Sequence, residues 1–415
     1  MSEPENSPRG GAAVFRFASF RHYEMARLLI VLSTEMQSVA VGWQLYDITK
    51  RPMSLGFAGL AQFLPLILLF LVSGHVADRM DRKRMLMVCY AAFAVCSGLL
   101  FVLGARGIRT AGPIYAVLVL VGVVRAFNGP AVRALLPHVA PGEYFASAVA
   151  WNATVFQAAT ILGPALGGLI YAFARGPAAV YATAMCGGCA AAAIVAGISV
   201  RERVRETQPA TWQTVMAGLR FIHREKLILG SISLDLFAVL LGGAVALLPV
   251  YAREILKTGP WGLGLLRSAP GLGAAVMAVL LAYRPLRRRA GATMLWCVAA
   301  FGVFTIVFGL SRNIAVSMAA LVLVGAADMV SVVIRATLVQ VGTPDAMRGR
   351  VNAVDMIFVG ASNEFGEFES GITAQWLGTV PAVVLGGIGA ILVTALWAWK
   401  FPDLRRADRL ANLED

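Results

Sequence analysis

The chain has 415 residues, 58% of them hydrophobic and only 14% charged, with a net charge of +13. A soluble domain carries about 25% charged residues, so the composition excludes an ordinary soluble protein and points to segments that live in lipid. The cationic surplus alone would suggest a nucleic-acid partner, but its clustering in alternate loops excludes one.

Residues 1–22 are expected to form a polar cytoplasmic segment without a cleavable signal sequence. Apolar runs of spanning length follow at 23–47, 54–74, 85–104, 112–137, 147–173 and 177–200. After a polar stretch at 201–226, six more occupy 227–252, 260–283, 291–310, 314–341, 351–377 and 380–399, and a polar tail fills 400–415. A span needs about 20 apolar residues, and a backbone in lipid must satisfy its own hydrogen bonds, so each run is predicted to be a helix. The expected fold is therefore all-α and polytopic. It has twelve transmembrane helices in two six-helix bundles, 23–200 and 227–399, joined by a linker at 201–226.

In the first span Glu35 is an acid near midplane, where ionisable groups are costly and usually functional. Gln37, Trp43 and Gln62 supply the neutral polar and aromatic character that a substrate cavity needs. Between spans two and three, residues 74–84 pack four cations and two acids into a short loop. Gly74 is expected to end span two and allow close helix approach, and Asp78 suits the positive end of a neighbouring helix. Arg79, Arg82, Lys83 and Arg84 suit anionic headgroups or carboxylates, although cations there also simply set topology. Arg125 lies within span four and requires a partner or water.

Span five contains Gly163, Pro164, Gly167 and Gly168, in which glycines permit close approach and proline loosens one backbone bond. Asn152 and Gln157 of the same span are further cavity candidates. The spacing Cys186 to Cys189 is that of a redox motif, but both lie in an apolar helix and are expected to be packing residues. Part of the 201–226 linker, around Val215, Leu219 and Ile222, is predicted to be a helix on the membrane surface.

Acids recur in the second half as Asp235 in span seven, Asp328 in span ten, and Glu364, Glu367 and Glu369 in span eleven, where Phe365 is a cavity candidate. Glu364 and Glu367 share a helical face and Glu369 points away from it. Two adjacent carboxylates in low dielectric cannot both stay ionised cheaply, so one of the pair is expected to bind a proton.

With the N-terminus inside, the cytoplasmic segments hold 24 Lys and Arg and the outer loops hold 8. That bias places both termini in the cytoplasm. A shift of 203 residues superimposes Val121-Gly122 on Val324-Gly325, Leu135 on Leu338 and Pro141 on Pro344. Two parallel repeats of this kind place a substrate site between the halves, near midplane. The same shift sets Arg125 opposite Asp328, which makes a charge pair across the cavity conceivable.

The 74–84 loop, apart from Asp81 where a glycine is usual, resembles the loop between helices two and three of the major facilitator superfamily. Arg125, Asn128 and Gly129 resemble that superfamily's span-four motif, and Gly163, Pro164, Gly167 and Gly168 the core of its antiporter motif, with Ala150 and Ala159 replacing two preceding glycines. Segments 35–49, 59–65, 348–352 and 366–371 are similar to the branch that holds the enterobactin exporter and macrolide efflux pumps. The resemblance implies a bacterial inner-membrane antiporter that exports a small organic molecule, a siderophore or a drug, against protons.

On this resemblance Gly74, Asp78, Arg79, Arg82 and Lys83 would form a gating latch. Glu35, Arg125, Glu364, Glu367 and Asp328 are the candidates for proton coupling, and Asp235 for the cavity. An importer of the same fold remains an alternative. No cofactor, metal ion or nucleic acid is expected, nor any catalytic residue. His22, His75, His138 and His223 sit at span ends or in loops, and no ATP-binding loop occurs. The expected partners are substrate, protons and lipid, and the carrier is expected to be a monomer.

Overall fold

Each apolar run in the sequence contains a helix in the computed structural model, which describes residues 13–69, 72–74, 76, 80–199, 212–284 and 289–407. The first half comprises α1 (Ala18–Thr49), α2 (Met53–Leu68), α3 (Arg82–Ala105), α4 (Gly112–Val139), α5 (Phe145–Ala174) and α6 (Pro177–Ala196). Helix α7 (Trp212–Arg224) leads to α8 (Lys226–Leu241), α9 (Gly259–Tyr283), α10 (Ala290–Leu310), α11 (Ile314–Val341), α12 (Asp345–Leu377), α13 (Thr379–Lys400) and α14 (Pro402–Arg406). Among the described residues ten segments are long and apolar enough to cross a membrane, and the described part of α2 is shorter. Helix α12 carries too many charges to read as purely apolar, for the reason given below.

Local chemistry sets several boundaries. Asp81 caps α3, its Oδ1 accepting from the backbone N–H of Lys83 at 2.8 Å and Arg84 at 3.1 Å. A side-chain acceptor at that position satisfies donors that a glycine would leave orphaned, which accounts for the departure from the loop pattern. Asn313 caps α11 in the same way.

The predicted span at 227–252 is not one helix. Helix α8 stops at Leu241, and short irregular turns carry the chain from Ala244 to Ile255. The break lies at Gly242-Gly243, the poorest helix formers short of proline. A side chain at Gly243 would lie 2.5 Å from the carbonyl oxygen of Gly366, so the bend lets α12 approach.

The linker contains a helix, α7. Ile222 of α7 is buried in a cluster with Ile228, Val339, Val351 and Val354, and a side chain at Gly218 would sit 2.7 Å from the Arg350 carbonyl oxygen. Gly218 and Ile222 thus face α12 and its neighbours, while Leu219 stays exposed and the Val215 side chain lies outside the described residues.

Within the first half α3 packs on α4 and α6, and α1 on α5 and α6. Within the second, α11 packs on α9 and α10, and α13 on α8 and α10. The repeat-related glycines make equivalent contacts: Gly122 of α4 abuts the backbone of Gln62 in α2, and Gly325 of α11 abuts that of Pro270 in α9. The two halves meet along two seams, α2 with α12 and α5 with α9.

Helices α10 and α13 cross where Gly387 faces Gly302, an added Cβ on Gly387 lying 2.6 Å from the Gly302 carbonyl oxygen. Gly387→Val is expected to destabilise the protein by about 1–3 kcal/mol through overpacking, measured as a lower unfolding temperature in detergent. Gly112→Ala, where nothing lies within 4 Å, should leave it unchanged.

Candidate functional site

The two seams enclose a cavity of about 440 Å³, whose described wall includes Glu35, Gln37, Gln62, Arg125, Arg267, Glu364 and Glu367. Its charged groups come from four helices: Glu35 from α1, Arg125 from α4, Arg267 from α9, and Glu364 and Glu367 from α12. Arg125 Nη1 lies 3.2 Å from Glu364 Oε1, an ion pair between the two halves. The same nitrogen donates to Gln62 Oε1 at 3.4 Å. Arg267 and Arg125 are the cations that act on Glu35 and, with Glu364, on Glu367. Three acids and two guanidinium groups thus share one low-dielectric space.

Missing side chains bring these groups together. A Cβ at Gly59 would lie 3.0 Å from Glu367 Oε2 and 3.2 Å from Glu364 Oε2, and one at Gly163 would lie 2.5 Å from Glu35 Cβ. Gly167 faces Met36 of α1, and Gly168 meets Gly264 of α9 with 2.9 Å between its added Cβ and the Gly264 Cα. The segment 163–168 is therefore the place where α5 holds α1 on one side and α9 on the other. The Pro164 carbonyl oxygen faces Gly264 in the same contact.

One end of the cavity is sealed. A Cβ at Gly56 would lie 2.9 Å from Phe368 Cα, and one at Gly371 would lie 3.2 Å from Gly56. Asp47 Oδ1 binds Arg253 Nη2 at 2.6 Å, and that guanidinium stacks 5.5 Å over Trp43. Tyr46 donates to Glu254 Oε1 at 3.5 Å. From this seal the cavity runs past Glu35 toward Ile30 and Tyr90. Toward the opposite end Arg133 Nη1 contacts Met356 Sδ at 2.8 Å, and Phe156 and Met356 remain largely exposed.

Several sequence expectations are placed elsewhere. Arg125 takes Glu364 as its acid, and Asp328 sits apart with Asp235 and Arg335. Trp43 belongs to the seal, edge-on to Tyr171 at 6.3 Å. Gln157 donates across the α5–α9 seam to the Gly271 carbonyl at 2.9 Å, and Asn152 donates to Glu24 Oε1 at 3.1 Å. Phe365 stacks edge-on against Phe63 at 5.5 Å rather than lining the cavity. Gln37 does line it, but accepts from Ser97 at 2.6 Å. Glu369 faces away from the cavity and accepts from Thr373 at 2.7 Å.

In the loop, Asp78 and Arg79 lie outside the described residues. Arg82 pairs with His138, and the Lys83 side chain has no role in the cap that its backbone completes. No described atom lies within 4 Å of a side chain added at Gly74, so no close approach depends on it. Arg267 and Asp355 join the charged clusters without a site role being evident from the sequence. A lone cation in an otherwise apolar helix was the available signal for Arg267. Cys186 and Cys189 are free and exposed, and among the described residues no His, Cys, Asp and Glu group could hold a metal ion.

The model of the transmembrane secretion effector family matches residues 9–413. The enterobactin exporter of Shigella boydii is 25% identical over 384 residues, covering 90% of this chain and 86% of that protein. The enterobactin exporter of Escherichia coli O1:K1 matches to the same extent, 25% over 384 residues. Among solved structures, a D-xylose–proton symporter aligns with a TM-score of 0.67 at 14% identity, covering 93% of this chain and 98% of that one. A bacterial homologue of the human lysosomal transporter Spinster, inward-facing and occupied, gives 0.70 at 13% identity over 94% and 98%. These structures establish the fold.

The seal should weaken when its ion pair is cut. Asp47 is about half exposed, so Asp47→Asn is expected to cost at most about 1 kcal/mol, a shift of up to about fivefold in the population open on that side. The labelling rate of a cysteine introduced as Ser38→Cys, measured from the sealed side in a cysteine-free background, reports it. An unchanged rate would mean the glycine contacts alone hold the seal.

Proposed function

This chain belongs to the transmembrane secretion effector family of the major facilitator superfamily, and on that premise we propose that it is a proton-coupled exporter of a small organic molecule. It is a multi-pass membrane protein. In this reading it has twelve spans with both termini in the cytoplasm of a bacterium, and residues 23–200 rock against 227–399 to give alternating access. The excess of Lys and Arg in alternate loops supports that orientation. The seal at Asp47, Arg253 and Gly56 then faces outward, and the cavity opens toward the cytoplasm.

The observation that carries the reading is the Arg125–Glu364 pair, 3.2 Å apart and formed between the halves. Glu35, Glu367 and Arg267 stand on the same cavity wall. An ion pair between halves that must separate is a linkage between charge state and conformation. Protonating Glu364 releases Arg125, and a proton on Glu35 or Glu367 removes an anion that two arginines otherwise hold. Protons that enter from outside and leave inside thereby drive opposite movements of the halves. The loop at 74–84 serves as the cytoplasmic latch of the outward-open state.

A cavity of about 440 Å³ takes a drug-sized molecule. The relatives named as enterobactin exporters favour export, with a siderophore as the first substrate class to test. Efflux of drugs without a siderophore role is the second reading.

In proteoliposomes with an imposed pH gradient, Glu35→Gln and Glu367→Gln are each expected to reduce gradient-driven efflux at least tenfold while leaving protein yield unchanged. Full efflux in both variants would remove the coupling assignment. Profiling of extracellular metabolites in a deletion strain identifies the cargo. A siderophore lost only under iron starvation supports the first reading. Unchanged siderophore with raised antibiotic sensitivity supports the second.

A further inference from the structure

Away from the central cavity, the second half buries another group of charges. Arg335 of α11 lies 3.6 Å through Nη2 from Asp235 Oδ2 of α8, and its Nη1 pairs with Asp355 Oδ1 of α12. Asp235 and Arg335 are only 6% and 5% exposed. Asp328, on α11 two turns before Arg335, is the third acid, and it interacts electrostatically with both Asp235 and Arg335. Both terminal nitrogens of the guanidinium are committed to Asp235 and Asp355, which leaves Asp328 without a cation of its own.

Asp235 and Asp328 line a small cleft of about 10 Å³ together with Ser331, room for about one water molecule. Ser331 is 1% exposed, and its hydroxyl has no hydrogen-bond partner. The remaining walls, Val298 and Phe301 among them, are apolar. Helix α8 presents Asp235 to this space, α12 presents Asp355 to the shared arginine, and α10 presents only apolar side chains. Helix α9 lines none of the cleft and keeps its Arg267 in the central cavity. Three carboxylates around one guanidinium leave two surplus negative charges if all are ionised. Asp235 and Asp355 each reach Arg335, so Asp328 is the acid whose charge would stand uncompensated. An uncompensated charge in such a place is costly, and a carboxylic O–H beside an unpartnered hydroxyl relieves both defects together.

We infer that Asp328, Asp235 and Ser331 form a second proton-binding site within the C-terminal half, separate from the acids of the central cavity. The proton sits on Asp328, and one water in the cleft links its O–H to the Ser331 hydroxyl and to Asp235. When the proton leaves, anionic Asp328 competes for Arg335 and loosens its hold on α8 and α12. Those are the helices that meet at the Gly242-Gly243 break. The inference rests on the proposed proton coupling for its role in transport, but not for the occupancy of the site.

Infrared difference spectroscopy of the full chain in nanodiscs, titrated over pH, tests the occupancy directly. Asp328→Asn is expected to delete one component of the protonated-carboxyl band, and Ser331→Ala, a milder change, to shift the frequency of that same component. Glu35→Gln and Glu367→Gln should leave it in place. A band unaltered by both Asp328→Asn and Ser331→Ala overturns the site. So does loss of the component when sodium chloride is added at constant pH, which would mean that a metal cation rather than a proton balances the charge. If the component behaves as expected while Glu35→Gln and Glu367→Gln retain full gradient-driven efflux, the central-cavity coupling fails and the second site stands.

Discussion

The architecture depends on backbone meeting backbone where side chains are absent. In lipid there is no hydrophobic drive to press one helix on another, so close van der Waals contact between small residues does that work. Gly56 and Gly371 supply it on the α2–α12 seam, and Gly168 and Gly264 on the α5–α9 seam. Because these contacts hold the halves within a few ångströms, Glu364 can reach Arg125 and Glu367 can sit over Gly59. A single added methyl group on either seam would move the charges as well as the helices. The seams thus act on electrostatics through distance.

Two of the charged clusters bear directly on how the halves could move. One lies between the halves, where every ion pair must break if the halves separate. The other lies inside the second half, where Arg335 ties α8, α11 and α12. In the proposed rocking motion the first would exchange partners, whereas the second would stiffen one of the moving bodies or let it flex. The proximity of the Gly242-Gly243 bend to α12 gives such flexing a place to occur, since short irregular turns cost less to adjust than a continuous helix.

Much of this was legible in the order of residues. Apolar runs mark helices because lipid allows nothing else to span it, and the spacing of Glu364 and Glu367 places both on one helical face. The acid that partners Arg125 was not legible, because it lies 239 residues away (364 minus 125). The repeat offered Asp328 instead, since it compares equivalent positions and says nothing of contact. Asp355 sits near the start of the predicted span 351–377, close to other polar residues, and reads as an interfacial group until Arg335 of α11 is packed beside it. The break in span seven was hidden because glycine and proline barely lower the mean hydropathy of a long apolar window. Trp43 and Gln157 suit a cavity by type but are used by the seal and the seam, a choice that only three-dimensional packing makes.

The charge sum of the central cavity has an electrical consequence. Its described wall carries Glu35, Glu364 and Glu367 against Arg125 and Arg267, one negative charge in excess when all are ionised. Each elementary charge carried through a membrane potential of 100 mV costs or yields about 2.3 kcal/mol. If the proposed carrier reorients with one proton bound, the cavity is neutral and the movement is indifferent to voltage. If it reorients with none bound, the movement carries a charge through the field, so on that proposal the membrane potential would bias which protonation state turns over.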